Sequence, residues 1–378
     1  MKLSLCMIVY NEEKYLKMCL DNALPLVDEA VIVDTGSTDK TIEIIKSYGD
    51  KVKLIKTKWE NDFSKARNLA IENASGDWIF TLDADEKIIA TGELKKYIES
   101  CEFDGIIVPF YHVVGEGDLV FSNVYIKIFR KMYRYEGAIH EQLNISNNKL
   151  VEIPETVAKI YHFGYMKEVF VEKGKINRNL DILLEELREN PDDPFTMYNI
   201  GVTYYAKNDF KVALKYFFEA TKRMNNIYKN DTTRYEIDMY IKIASCLYRI
   251  QEYDECINFI KYILETVCEL PDLYYILGET YEAKNDFKNA ELSYKKCIDI
   301  GENRNYISVK GVGSFYPKFR LAQIYEKQDR ILDAAMMYIE GVFDKNNILG
   351  KGVIETKEFL KRYNLLNILD EFEKIYKS

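Results

Sequence analysis

Two carboxylates stand side by side in Asp83-Ala84-Asp85-Glu86, directly after the short apolar run Trp78-Ile79-Phe80-Thr81-Leu82. The run is β-rich and bounded by Ser75-Gly76-Asp77, so it reads as a buried strand. Acids at the tip of a buried strand are costly unless a cation offsets them. Hard divalent cations take such oxygens, and Mg²⁺ or Mn²⁺ commonly bridges a carboxylate to substrate phosphates. The chemistry indicated is work on a phosphorylated donor, although acidic strand ends also occur for purely structural reasons.

The elements around this tip alternate. Leu3–Val9 reads as a strand, followed by a helix opened by Asn11-Glu12-Glu13, with Tyr15, Leu16, Cys19, Leu20 and Ala23 at helical spacing. Further strands are expected at Glu29–Val33, Val52–Lys56 and Trp78–Leu82, with helices at Thr41–Ser47 and Phe63–Asn73. That rhythm gives an α/β sheet with parallel crossovers. Ligands of such sheets sit beyond the carboxyl ends of the strands. Three polar clusters fall there: Tyr10-Asn11-Glu12, Asp34 to Asp39, and Asp83 to Glu86. From Gly105 to about Tyr165 the chain is strand-like at Ile106–His112, Val124–Phe129 and Thr156–His162, with a turn at Gly115-Glu116-Gly117-Asp118. Histidines 112, 140 and 162 all lie in this stretch.

Beyond Glu168 the pattern is helical. Lys173–Glu189 is one helix, broken by Asn190-Pro191-Asp192-Asp193-Pro194. A repeat follows. Gly201 with Ala213, Phe217 and Ala220 aligns with Gly278, Ala290, Tyr294 and Cys297, and weaker copies centre on Ala244 and Ala322. The middle spacing, Ala244 to Gly278, is 34 residues, which is the tetratricopeptide period. The longer spacings need insertions, which Asn225–Arg234 and Glu302–Ser314 supply. The second half thus resembles tetratricopeptide repeats, solenoids whose concave groove usually holds a peptide or protein segment.

Composition bounds the class. The chain's 378 residues imply two domains. With 47% apolar and 30% charged residues it is a soluble globular type, and a net charge of −9 argues against a broad nucleic-acid or anionic-membrane surface. Seven scattered cysteines without C-x-x-C spacing read as reduced, buried thiols of a cytoplasmic protein. The short apolar N-terminus is followed at once by Asn11-Glu12-Glu13 and does not read as a signal peptide, and no stretch is long enough for a membrane span.

Ile8 to Glu13, Val33 to Asp39, Ala66-Arg67-Asn68, Ala74 to Ile79 and Leu82 to Glu86, in this order, resemble the family 2 glycosyltransferases of the GT-A fold. The resemblance implies an α/β N-terminal domain with a Rossmann-like mixed sheet, followed here by an all-α tetratricopeptide-like solenoid. The expected boundaries are 1–167 for the glycosyltransferase domain, 168–192 for a linker helix, 193–345 for the repeats and 346–378 for a C-terminal capping helix.

The resemblance also implies roles. Tyr10 would lie against the base and Glu12 would reach the ribose, although a charge in the first turn of a helix also explains Glu12. Asp34 would hydrogen-bond the base edge, and Arg67 offers a donor fork suited to a diphosphate. Asp39 is equally read as a helix cap. Asp85 would bind the metal, with Asp83 touching the ribose or the metal's water shell; Glu86 reads as a helix-start or supporting residue. In Gly137 to Gln142 the general base is Glu141 or His140, with Glu141 preferred. His162 would contact metal or diphosphate, or be a core histidine.

The function expected is an inverting transferase dependent on Mn²⁺ or Mg²⁺. It would move a sugar from a nucleotide-diphosphate donor, UDP-glucose or UDP-N-acetylglucosamine, to a peptide or protein acceptor. The architecture is similar to that of bacterial enzymes that glycosylate peptides, including the S-glycosyltransferases of glycosylated bacteriocins. The alternatives are a lipid-linked or surface-polysaccharide acceptor, with the repeats serving protein–protein contact or homo-oligomer formation, and a non-catalytic binding protein.

Overall fold

The computed structural model describes residues 1–114, 118–122, 125–139, 141–163, 173–227, 234–267, 269–303, 306–347 and 350–369. The chain divides into two compact units, Met1–Glu189 and Asn190–Ser378.

The first unit is built on a seven-stranded mixed sheet. Its strands are β1 (Leu3–Val9), β2 (Glu29–Asp34), β3 (Val52–Lys56) and β4 (Trp78–Thr81), together with three from later in the chain. Between these come β5 (Glu86–Ala90) and helices α1 (Leu16–Ala23), α2 (Thr41–Lys46), α3 (Phe63–Asn73) and α4 (Leu94–Glu99). Then follow β6 (Gly105–Ile107), β7 (Phe110–Val114), β8 (Asp118–Ser122), β9 (Ile126–Arg130), β10 (Tyr135–Glu136), β11 (Gln142–Leu143), β12 (Leu150–Glu152) and β13 (Ala158–His162). The order across the main sheet is β12-β6-β9-β4-β1-β2-β3. β1 pairs in parallel with both β2 and β4, and β2 with β3, while β9 runs antiparallel to β4.

β1 is apolar almost throughout because both faces of a central parallel strand are covered. Leu3, Leu5, Met7 and Val9 join one core with Ala30, Ile32, Trp78 and Phe80; Cys6 joins the opposite core with Val31, Val33, Ile79 and Phe129. The parallel register brings the ends of β1, β2 and β4 to one edge, so the three polar clusters read from the sequence converge there.

Three local expectations change. The stretch from Ile106 to His112 is two strands, not one. Pro109 has no N–H to give a ladder, and the chain crosses there from the main sheet to a second one with the order β8-β7-β13-β5. The first helix starts at Leu16, leaving residues 11–15 as a turn in which the Glu12 carbonyl accepts the Tyr15 and Leu16 N–H groups. Glu86 opens a strand rather than a helix, with β5 antiparallel to β13. In the expected Gly115–Asp118 turn, residues 115–117 lie outside the described residues, and Asp118 begins β8. β13 carries His162 opposite Glu86 in this pairing and alongside His112 of β7. Helix α5 (Lys173–Glu189) forms as the sequence reads.

The second unit is a series of helical hairpins. They are α6 (Pro194–Ala206) with α7 (Phe210–Ile227), α8 (Arg234–Arg249) with α9 (Tyr253–Thr266), α10 (Pro271–Ala283) with α11 (Phe287–Ile300), and α12 (Phe315–Lys327) with α13 (Ile331–Val342). Helix α14 (Val353–Arg362) packs on α13. A Cβ on Gly201 would meet the Phe217 ring at 2.5 Å, and one on Gly278 the Tyr294 ring at 2.6 Å. This close approach is why small residues and aromatics recur in register. The turns repeat as well. Asn208, Gln251, Asn285 and Asp329 all adopt positive φ, and they are 43, 34 and 44 residues apart. Lys207-Asn208-Asp209-Phe210 and Lys284-Asn285-Asp286-Phe287 are the same four residues at the two best-matched turns. Asparagine tolerates the left-handed region better than most side chains.

Candidate active site

Helix α3 organises the sheet edge. Asp62 caps it by accepting the Lys65 N–H at 2.9 Å. One face then grips the segment after β9: the Phe63 N–H donates to the Ala138 carbonyl at 2.8 Å and Ser64 Oγ to the Gly137 carbonyl at 2.5 Å. One turn on, Asn68 exchanges two bonds with the Tyr135 backbone, Nδ2 donating at 2.9 Å and Oδ1 accepting at 3.0 Å. Residues three and four apart share a helix face, so Arg67 emerges beside these contacts. Its Nη2 donates to Asp83 Oδ1 at 2.9 Å and its Nε to Glu141 Oε1 at 2.5 Å. The guanidinium lies 5.5 Å from the Tyr135 ring centroid, and Tyr135 Oη meets Thr81 Oγ1 at 3.2 Å. One fork thus ties the tip of β4 to the loop carrying Glu141.

Electrostatics follow from this packing. Burial raises the Asp83 carboxyl's pKa, but the charges of Arg67 and Lys127 reverse that and hold it well below the usual carboxylate range. Burial works against a charged His162 ring. Even so, the hydrogen bond and charge of Asp85, with Glu86 and Asp83 nearby, raise it above the ordinary histidine value. His162 Nε2 stands 3.3 Å from Asp85 Oδ2, and its Nδ1 is 3.0 Å from His112 Nδ1. Beneath the turn, Lys127 Nζ donates to both Glu86 oxygens at 2.7 and 2.8 Å.

The other cluster ends are tightly bonded. Asp34 is buried, and its Oδ1 accepts the Gly36 and Ser37 N–H groups, both at 3.1 Å, so it shapes the loop after β2. Asn11 Oδ1 accepts the Thr38 N–H at 2.7 Å, and Thr41 Oγ1 accepts the Glu12 N–H at 2.7 Å. These bonds lock the loop after β1 to the loop after β2. Asp39 accepts from the Thr41 and Glu13 N–H groups, while the N-cap position of α2 itself falls to Lys40. The Tyr10 ring is exposed at 46%, a large aromatic face at the sheet edge.

The structure thus brings Arg67, Asp83 and Glu141 into one contact chain and Asp85 and His162 into another. His140 lies outside the described residues. Among the described residues no three His, Cys, Asp or Glu groups are arranged to hold a metal. Of the expected ligands, Asp85 and His162 meet, while the Asp83 carboxylate is turned to Arg67. An oxygen donor beside an imidazole still suits Mn²⁺. Lys127, Tyr135 and His112 join the site without having a role assigned from sequence. The signal for Lys127 was legible: a lysine inside the otherwise apolar run Tyr125-Ile126-Lys127-Ile128-Phe129 needs a buried partner.

Residues 4–170 match the family model for glycosyl transferase family 2, and residues 271–303 match a tetratricopeptide repeat. The family 2 match thus runs through most of the first unit, residues 4–170. The chain is 30% identical over 263 residues to the SPbeta prophage-derived glycosyltransferase SunS of Bacillus subtilis, covering 68% of this chain and 61% of SunS. It is 32% identical over 235 residues to a TPR repeat-containing protein of Synechococcus elongatus, covering 59% of this chain and 57% of that one. It is 26% identical over 259 residues to the poly(ribitol-phosphate) beta-N-acetylglucosaminyltransferase TarS of Staphylococcus aureus, covering 64% of this chain and 40% of TarS. The chain therefore spans about three-fifths of SunS, at 61%. The glycosyltransferase domain and the repeats fall in separate units. No helix among the described residues is long and apolar enough to cross a membrane.

Proposed function

We propose that this chain is an inverting glycosyltransferase that moves a sugar from a nucleoside-diphosphate donor, UDP-glucose or UDP-N-acetylglucosamine, to a peptide or protein. The observation that carries the reading is the Arg67 fork, which holds the strand-tip acid Asp83 and the candidate base Glu141 in one hydrogen-bonded unit. In this reading the Glu141 carboxylate takes the proton of the acceptor nucleophile as that atom attacks the anomeric carbon. The nucleoside diphosphate leaves on the opposite face. Arg67 fixes where Glu141 stands and supplies positive charge beside the diphosphate. Tyr10, Glu12 and the loop shaped by Asp34 form the nucleoside side. Asp85 with His162, and Asp83 from the water shell, are the residues that would hold Mn²⁺ or Mg²⁺, which would neutralise the departing diphosphate.

The peptide acceptor rests on the repeats, since such solenoids present an extended concave surface, and on the likeness to SunS. The test is a chain ending at Glu189, recovered soluble and monodisperse. It is expected to retain slow hydrolysis of the donor and to lose transfer to polypeptide. Full-rate polypeptide modification by this truncated chain would contradict the role given to the repeats. A polymer acceptor is the second reading, favoured by the match to TarS. Transfer to poly(ribitol phosphate) but to no polypeptide would select it.

A further inference from the structure

Glu86 and Lys127 form an ion pair that is almost fully enclosed, with 3% and 8% of their side chains exposed. Removing two charges from water is expensive, and an apolar pair of the same size often packs as stably. Simple filling of the sheet therefore does not account for the pair. What it contacts does.

Glu86 Oε2 accepts the Asp83 N–H at 3.1 Å, while the Glu86 N–H donates to the Asp83 carbonyl at 3.0 Å. Glu86 thus grips Asp83 at both backbone groups and closes the turn that contains Ala84 and Asp85. Cys19 Sγ donates to the same Asp83 carbonyl at 3.4 Å. Lys127 satisfies both Glu86 oxygens and is held in turn 5.1 Å from the Phe110 ring centroid and 5.7 Å from that of Tyr125. Its place is set by β9, whose Ile128 pairs with Phe80 at the end of β4 and whose Lys127 carbonyl accepts from Thr81 Oγ1 at 3.4 Å. The chemistry at position 86 is restrictive. Two donors, the Asp83 N–H and the Lys127 ammonium, converge on one side chain, and only a carboxylate offers acceptors on both atoms; a glutamine would turn an N–H toward one of them.

We propose that Glu86 and Lys127 are a positioning pair that sets the Asp83-Ala84-Asp85 turn in the shape that receives a divalent cation with a nucleoside diphosphate. This rests on reading Asp83 and Asp85 as the donor-side acids. The pair itself touches neither ligand. It acts through the turn's backbone, so neutralising one partner leaves the other buried and unbalanced, and neutralising both restores charge balance.

The test uses the full chain with Mn²⁺ alone and Mn²⁺ with UDP as probes. Free Mn²⁺ is followed by electron paramagnetic resonance, and thermal melting reports the fold. Glu86→Gln and Lys127→Met are each expected to weaken Mn²⁺–UDP binding by about 10–100-fold, the usual reach of residues that orient ligands. In the double variant, the glutamine side chain can give its carbonyl to the Asp83 N–H with no ammonium facing it. The double variant's loss should therefore fall well short of the product of the two single losses. Folded single variants that bind like the wild type, or losses that multiply in the double variant, would overturn the proposal. If Lys127→Met does not fold, comparing Glu86→Gln with the double variant answers the same question. Asp85→Ala separates the two readings. If it binds Mn²⁺–UDP like the wild type, the donor-site reading fails and takes the pair's role with it. If it loses binding while both single variants keep it, only the positioning role fails.

Discussion

Arg67 is the residue on which the site turns. A guanidinium presents several donors in a fixed planar fork, and here two of them are spent on carboxylates from distant parts of the chain. That arrangement gives Glu141 a fixed position, which a general base needs before its proton affinity matters. Glu141→Gln keeps an acceptor for Arg67 Nε but cannot take a proton. It is expected to leave donor binding within a few-fold of the wild type and to slow transfer by about two to four orders of magnitude. The measurement is single-turnover transfer alongside donor titration. Transfer at the wild-type rate would move the base elsewhere.

At the scale of elements, α3 joins the sheet to the loop that carries Glu141, the proposed base. Asn68 does this with a pair of bonds to the Tyr135 backbone. Asn68→Ala strands both of those backbone groups and should cost about 1–3 kcal/mol of stability. It should also slow transfer, because the segment reaching to Glu141 loses an anchor. Urea unfolding and steady-state kinetics on one preparation would check both effects, and an unchanged rate in a destabilised protein would show that Asn68 serves only the fold. The same scale shows what the sequence could reveal. β1 to β4 and their helices were legible because parallel central strands are apolar runs and their crossovers are amphipathic. The polar clusters at the strand ends followed from that order. The break at Pro109 and the strand opened by Glu86 were not legible, since each depends on a second sheet assembled from distant segments. Asp83, Asp85 and Arg67 stood out by type and spacing. Lys127 carried a local signal, a lysine within an apolar run, but its pairing with Glu86 and the place of Tyr135 come from tertiary packing, which no local pattern encodes.

Across the whole molecule, the second unit carries its own titratable lock. Asp272 at the start of α10 is buried, and its carboxylate accepts from Ser308 Oγ at 2.7 Å and Tyr306 Oη at 3.3 Å. Ser308 and Tyr306 belong to the insertion between α11 and α12. Burial pushes the carboxyl from its usual 3.8 up to about 6, against the pull of these hydrogen bonds. Between those values the native chain binds more protons than the unfolded one, so this group's contribution falls as pH rises. Wild type should therefore lose stability relative to Asp272→Asn from about pH 4 to about pH 7, by up to about 3 kcal/mol. Urea midpoints across that range check the sign, and a difference that is flat or opposite in slope would contradict it.

In the proposed function, a sheet edge of the first unit prepares a nucleotide-sugar and the helical repeats of the second receive the acceptor. The most direct test of that reading is release of nucleoside diphosphate from UDP-glucose and UDP-N-acetylglucosamine. It compares wild type with Asp85→Ala, with Mn²⁺ and with chelator, and with and without polypeptide acceptors. Release by the wild type is expected to require the metal and to be abolished in Asp85→Ala. No release from any donor under any of these conditions, or equal release by the two proteins in chelator, would contradict it.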